Sequence, residues 1–253
     1  EESFFVIFFV VFIFKLFGGT FMKLKGLVSI ILIITLMVSI GCKGEENVKN
    51  ENVLVYGSND YTSINPALFE HGEINSLLFN GLTAHDKDNN IIPALAKSWE
   101  YDEETLTYTF HLRDDVKWHD GKAFTSEDVK FTYETILNPE VGSEIVSNYI
   151  DIDEIQIIDN NTLKIVLKNE NVALLDYLTV GILPKHIWEG QDITTSEFNR
   201  NPIGTGPYKF SNWDEGQSIT LIKNEEYFKS DPKIDKIIFK IVDDTKARVF
   251  QLK

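Results

Sequence analysis

The sequence predicts a mixed α/β fold, and three local patterns carry the prediction. From Thr105 to Arg113, Leu106, Tyr108, Phe110 and Leu112 alternate with Thr105, Thr107, Thr109, His111 and Arg113. A period of two is that of a strand with one buried face. Glu154 to Ile158 and Thr162 to Leu167 repeat the alternation around Asp159-Asn160-Asn161, where Asn tolerates positive φ, and predict an antiparallel hairpin. Between these runs, Thr125-Ser126-Glu127-Asp128 has the spacing of a helix capping box, and Val129, Tyr133, Ile136 and Leu137 continue on one helical face. Pro139 cannot extend the helix, which is predicted to end near Asn138.

The chain holds 253 residues, enough for one large domain or two smaller ones, and opens on Glu1. Phe4 to Phe14 is an unbroken apolar run, short of the ~20 residues of a membrane-spanning helix. Gly18-Gly19, two residues ahead of Met22, is what an in-frame ribosome-binding site yields when translated. Residues 1–21 are therefore expected to be read-through of untranslated DNA, the alternative being an extra hydrophobic anchor. From Met22, Lys23 and Lys25 form a charged start and Leu27 to Ile40 an apolar stretch, the pattern of a secretory signal over residues 22–41. It ends Ser39-Ile40-Gly41-Cys42, which resembles a bacterial lipoprotein box with Ser39 where leucine is usual. The resemblance implies that Cys42 is lipidated and becomes the new N-terminus; a plain cleaved signal is the alternative. Cys42 is the only cysteine, so neither an internal disulfide nor a CxxC motif is available. Residues 42–52 are polar and aperiodic, as a tether should be.

Net charge is −15, and removal of Lys15, Lys23, Lys25, Glu1 and Glu2 with residues 1–41 brings it to −16. Nucleic-acid binding, which needs basic patches, is excluded by that balance. Val53 to Gly57 reads as a buried first strand, and Ile74 to Leu82 as a helix after a loop containing Asn65-Pro66. Ser98 to Tyr101 pairs with the strand at Thr105 through Asp102-Glu103-Glu104 as a first hairpin. Gly121 can supply the positive φ of a tight turn at His119-Asp120-Gly121. Val172 to Leu178 is a short helical candidate. Tyr208 to Trp213 and Ser218 to Lys223 pair through Glu215-Gly216, and Ile234 to Val242 is a further buried strand. Asp243-Asp244-Thr245 caps a helix cut short at Lys253.

The run from Ala96 to Val129, A-x-S-W-E-x-D-E-x-x-L-T-Y-T-F-x-L-R-x-D-V-K-W-H-D-G-x-x-F-T-x-E-D-V, resembles the hallmark of the extracellular solute-binding proteins of peptide, dipeptide and nickel ABC importers, oligopeptide-binding family 5. Pro202 to Tyr208 is similar to the family's P-x-G-T-G-P-Y turn. The resemblance implies a periplasmic-binding-protein-like type II bilobal fold, of which an N-terminal fragment with only the first lobe is expected here. A discontinuous core subdomain would span 53–81 and 181–253, with an antiparallel-hairpin subdomain inserted at 82–180. It further implies that Phe69, Glu70, His71, Gly72, Glu73 and Tyr208 face the ligand, although an ordinary strand-to-helix loop would also account for Phe69 to Glu73. The partners implied are an oligopeptide ligand and ABC permease subunits. The full-length protein would be a monomer on the outer face of the cell membrane, lipid-anchored, or in the periplasm.

No cofactor is expected. Gly204 and Gly206 lack the third glycine of a dinucleotide loop and lead into a strand. GxSxG, HExxH and P-loop motifs are absent from the sequence, so no catalytic constellation is predicted. Of the five histidines, His111 belongs to an outward strand face and His119 to a turn, so both read as solvated or structural. His71 would be the metal ligand if the cargo were nickel or a metallophore complex. Oligopeptide capture is the leading reading, a nickel or metallophore receptor the alternative within the family, and a secreted hydrolase the alternative of another class. The sheet holding Val53 to Gly57 is expected to await strands beyond Lys253 and so to leave an aggregation-prone edge.

Overall fold

The structure, a computed structural model of the full chain, describes residues 51–69 and 72–242. The expected read-through, signal and lipidation segments, most of the tether, Glu70, His71 and the helix predicted after Asp243 lie outside the described residues. Two four-stranded sheets organise the rest. The first has the order β1-β10-β9-β8, with β1 (Val53–Ser58) parallel to β10 (Lys236–Ile241) and the β9 (Ser218–Lys223) and β8 (Tyr208–Asp214) pairings antiparallel. The second is antiparallel throughout, in the order β4-β5-β7-β6, from β4 (Ala96–Asp102), β5 (Thr107–Leu112), β7 (Thr162–Leu167) and β6 (Ile152–Asp159). A two-stranded ribbon, β2 (Thr83–His85) with β3 (Ile91–Pro93), lies between them in sequence.

The two predicted hairpins form and join edge to edge through β5 and β7. Phe110 faces Leu163 and Tyr108 faces Ile165 across that seam, and all four are buried. Alternation decides which face is covered: Tyr108, Phe110 and Leu112 point inward, whereas His111 stays partly exposed, 3.9 Å from Glu100. Leu106 leaves the predicted strand. The Asp102 carboxylate accepts the N–H groups of Glu104 (2.9 Å) and Thr105 (3.3 Å), and Leu106 takes φ +49° in the turn they create.

Helix α2 (Ser126–Leu137) packs on β6 with Val129, Tyr133 and Ile136 buried. Burying each such large side chain contributes roughly 2–3 kcal/mol. Its capping box forms, with the Thr125 N–H donating to Asp128 at 2.9 Å. Asp128 also accepts from the Lys185 N–H (2.9 Å) and the Trp118 indole (3.4 Å), and the Thr132 hydroxyl accepts from the Leu183 N–H (2.9 Å). Polar groups of one helix thus dock the chain as it returns to the first sheet. Burial pushes the Asp128 carboxyl up, against the opposing pull of its donors at Thr125, Lys185 and Trp118. Gly121 has the expected positive φ, +88°.

One strand departs from expectation. Val53, Leu54, Val55 and Tyr56 of β1 are 45, 46, 45 and 39 % exposed, not buried. Among the described residues β1 pairs only with β10, so it is an edge strand, and a continuous apolar run reads alike in either position. In β10, Ile237 and Phe239 are buried in alternation, so one face of that strand is covered. The short helix α3 (Leu174–Tyr177) falls within the helical candidate at 172–178, whereas the ribbon β2–β3 and the short helix α4 (Lys185–Trp188) had no local prediction. The ribbon turns because Asp86 accepts the N–H groups of Asp88 (2.8 Å) and Asn90 (2.9 Å), with Asn89 at φ +65°.

Candidate functional site

Parallel pairing brings the carboxyl ends of β1 and β10 together at Ser58 and Ile241. Ligands of open α/β sheets gather outside such ends, because the loops leaving them converge there. The Tyr56 phenol donates to Glu73 Oε1 at 2.9 Å, and the hydroxyls of Ser58 and Tyr61 are 3.0 Å apart. Both tyrosine rings meet Phe239 edge-on, with centroids at 5.4 and 6.4 Å. Burial raises the Tyr61 phenol above its ordinary value; the Ser58 hydrogen bond opposes this and the Glu73 charge adds to it. Glu73 lies in the first turn of helix α1 (Gly72–Leu78), where a negative charge suits the helix dipole.

The loop ahead of α1 is held from two sides. The Asn65 side chain accepts the Ala67 N–H (3.0 Å) and donates to Asn199 (2.9 Å). Ser143 donates to the Ala67 carbonyl (2.6 Å), and the Glu144 N–H to that of Leu68 (2.9 Å). Phe69 is partly buried against the core. Beside the loop opens a groove of about 340 Å³, walled by Gly72, Asn75 and Ser76 on one side and by His85, Thr179 and Val180 on the other. His85 Nε2 lies 3.0 Å from Asp176, and Asn75 Oδ1 is buried without a hydrogen-bond partner among the described residues. The groove's walls mix apolar groups of Phe79, Ala84 and Val180 with amide and hydroxyl groups, His85 with its Asp176 partner lies at one wall, and Glu73 adjoins the wall residue Gly72. Among the described residues no three His, Cys, Asp or Glu side chains come together as metal ligands.

At the other end of α1, the turn Gly204-Thr205-Gly206 lies flat on the helix. The Gly206 N–H donates to the Leu78 carbonyl at 2.9 Å. A Cβ at Gly204 would stand 1.8 Å from the Leu78 oxygen, and one at Gly206 2.3 Å from that of Leu77. Only glycine permits this approach.

Of the sequence-predicted ligand residues, Phe69, Gly72 and Glu73 fall at one end of α1. Tyr208 is 6 % exposed in β8; burial raises its phenol, and a hydrogen bond to the Ile234 backbone opposes the shift. Glu70 and His71 lie outside the described residues. Trp213, at the far end of the same strand as Tyr208, carries the Arg200 guanidinium 5.1 Å above its ring. Asn75, His85 and the 179–181 segment were missed as wall residues. No local pattern marks them, since their proximity depends on how the two sheets are joined.

Residues 90–253 match the family model described as bacterial extracellular solute-binding proteins, family 5 middle. An ABC transporter peptide-binding protein of Brucella ovis is 38% identical over 173 residues, 66% of this chain and 33% of that protein. The chain thus spans about a third of that relative's length. Among solved structures, NikZ from Campylobacter jejuni in complex with Ni(L-His) is similar at TM-score 0.76 and 39% identity, over 80% of this chain and 41% of that one. The oligopeptide-binding protein AppA from Bacillus subtilis, in complex with a nonapeptide, has TM-score 0.76 and 32% identity over 80% and 42%. The described residues share the type II periplasmic-binding-protein-like fold of these neighbours. By the match of its family model over most of its length, the chain belongs to the bacterial extracellular solute-binding proteins of family 5.

Proposed function

We propose that this protein is the substrate-binding lipoprotein of an ABC importer. It captures oligopeptides outside the cell, held at the membrane by lipid on Cys42, and delivers them to a membrane permease. The observation that carries this reading is the groove itself. It lies beside the loop at the carboxyl ends of the parallel strands and is walled by elements of 72–76 and 179–181. Walls that mix apolar patches with amide and hydroxyl groups suit ligands recognised through backbone groups, with side-chain tolerance supplied by space and water. In this reading Phe69, Glu70, His71, Gly72 and Glu73 form the ligand side of the first lobe. Glu73, oriented by Tyr56, receives a ligand ammonium. Subdomains at 53–81 with 181–253 and at 82–180 make up that lobe, which closes on the ligand with a second lobe as a monomer.

A second reading, a receptor for a nickel or metallophore complex, is favoured by the likeness to the Ni(L-His) complex of NikZ. In that case His71 is the protein's metal ligand.

Thermal melting and calorimetry with a mixed peptide pool and with Ni-histidine separate the two. A ligand at 100 times its Kd stabilises by about 2.7 kcal/mol, so the melting temperature rises with the true ligand alone. Glu73→Gln is expected to weaken peptide binding by about 10–100-fold, the worth of one hydrogen bond between charged groups. Stabilisation by Ni-histidine and not by peptides would establish the second reading. Recovery of cleaved peptides by mass spectrometry would instead make the protein a hydrolase.

A further inference from the structure

His119 occupies the turn at 119–121, yet its ring makes two hydrogen bonds outside that turn. Nδ1 is 3.1 Å from the Gly204 N–H, and Nε2 is 3.1 Å from the Gly206 carbonyl. An N–H can only donate and a carbonyl only accept, so Nδ1 carries the lone pair and Nε2 the proton. The His119 N–H donates to the Gly204 carbonyl at 2.9 Å, and Lys209 Nζ donates to the His119 carbonyl at 3.3 Å. His119 thereby grips both glycines of the turn that lies flat on the last turn of α1. Helix α1 begins at Gly72, in the loop assigned above to the ligand.

We propose that His119 is a positioning residue: as the neutral Nε2–H tautomer it holds the Gly204–Gly206 turn, and through it helix α1 and the ligand loop, and acid releases that hold. Protonation at Nδ1 would set a second N–H against that of Gly204 and remove one of the two ring contacts. The charged groups around the ring leave it neutral. Lys209 approaches from β8. Asp120, the adjacent residue, is held by His186 of α4 at 2.7 Å. Glu226, from the segment whose Asn224 side chain shares the Gly206 carbonyl, is occupied by Lys117 at 3.2 Å. The turn on α1 contributes backbone groups alone. Burial pulls the imidazole down to about 4; the Gly206 carbonyl opposes this, Lys209 reinforces it, and Asp120 opposes it.

In the unfolded chain an imidazole titrates at about 6.5. The stabilisation is therefore complete above about pH 6.5 and lost as pH falls towards 4, the window in which the unfolded chain binds the extra proton. At pH 5 this lowers the folding constant by at most about 30-fold. The contacts stand on geometry alone, whereas their bearing on ligand capture rests on the peptide-receptor reading.

The test needs no ligand, so its failure is separate from failure of that reading. Long-range ¹H–¹⁵N spectra of the full chain should show the His119 Nε2–H tautomer titrating near pH 4. Amide protection at Gly204 and Gly206 should fall at least about tenfold between pH 7 and 4.5. His119→Asn, which keeps an acceptor for Gly204 but does not titrate, should lose that pH dependence while remaining folded. An Nδ1–H tautomer, a titration near 6.5, or the same pH-dependent loss in His119→Asn would each overturn the proposal. If the variant does not fold, the wild-type tautomer and titration decide.

Discussion

At the scale of single residues, two buried polar groups on α2 differ in how they are satisfied. Asp128 accepts from donors on three segments, whereas Tyr133 Oη has no hydrogen-bond partner among the described residues and is fully buried. Asp128→Ala would strand the Thr125, Lys185 and Trp118 donors and is expected to destabilise by about 2–4 kcal/mol. Tyr133→Phe removes an unsatisfied hydroxyl at constant shape and is expected to leave stability unchanged or raise it by about 1 kcal/mol. Denaturant midpoints of the two variants measure both; a large loss in Tyr133→Phe would reveal a hydrogen bond, such as one to water, at that hydroxyl. The capping role of Asp128 was legible from its place three residues after Thr125. Its bond to Lys185, 57 residues on, was not, because sequence spacing carries no information about a contact made by chain return.

Among elements, β5 is central to the second sheet, flanked by β4 and β7, and Phe110 is its fully buried midpoint. Phe110→Ala is expected to destabilise by about 3–5 kcal/mol, the cost of a lost transfer term plus a cavity that close-packed neighbours fill only in part. Thermal and denaturant melting check it. The alternation that placed Phe110 inside was readable because one face of the sheet is solvated, and the same reasoning succeeded for β7. It failed for β1, where an unbroken apolar run carries no period and the number of neighbouring strands is invisible locally. Leu106 was misplaced for a different reason: its apolar character fitted the stripe, but the Asp102 carboxylate organised the preceding turn.

For the whole molecule, β1 presents the exposed side chains of Val53, Leu54, Val55 and Tyr56 on a strand with one pairing partner among the described residues. Such an edge is a template for further pairing, and the chain is expected to self-associate through it despite a net charge of −15. Leu54→Lys, which places a charge on that edge, should shift the chain towards monomer in size-exclusion chromatography and light scattering. Unchanged association in the variant would place the contact elsewhere. The groove belongs to the same scale. It exists because β2 and the 179–181 segment meet α1, and the 204–206 turn that seats α1 is gripped by a histidine 85 residues earlier in the chain.

By itself the sequence determined the hairpins, the capped helix, the tight turns and the family resemblance. These depend on patterns a few residues long, or on one dense motif, and period and capping chemistry act at that range. Tertiary structure alone decided that the hairpins share one sheet, that β1 is an edge, that Tyr208 points into packing, and that Asn75, His85 and Thr179 wall a groove. It also decided the state of His119. As a residue of an exposed turn its imidazole would titrate near its ordinary value; it stays neutral because burial, reinforced by the Lys209 charge, outweighs the opposing pull of the Gly206 carbonyl and Asp120.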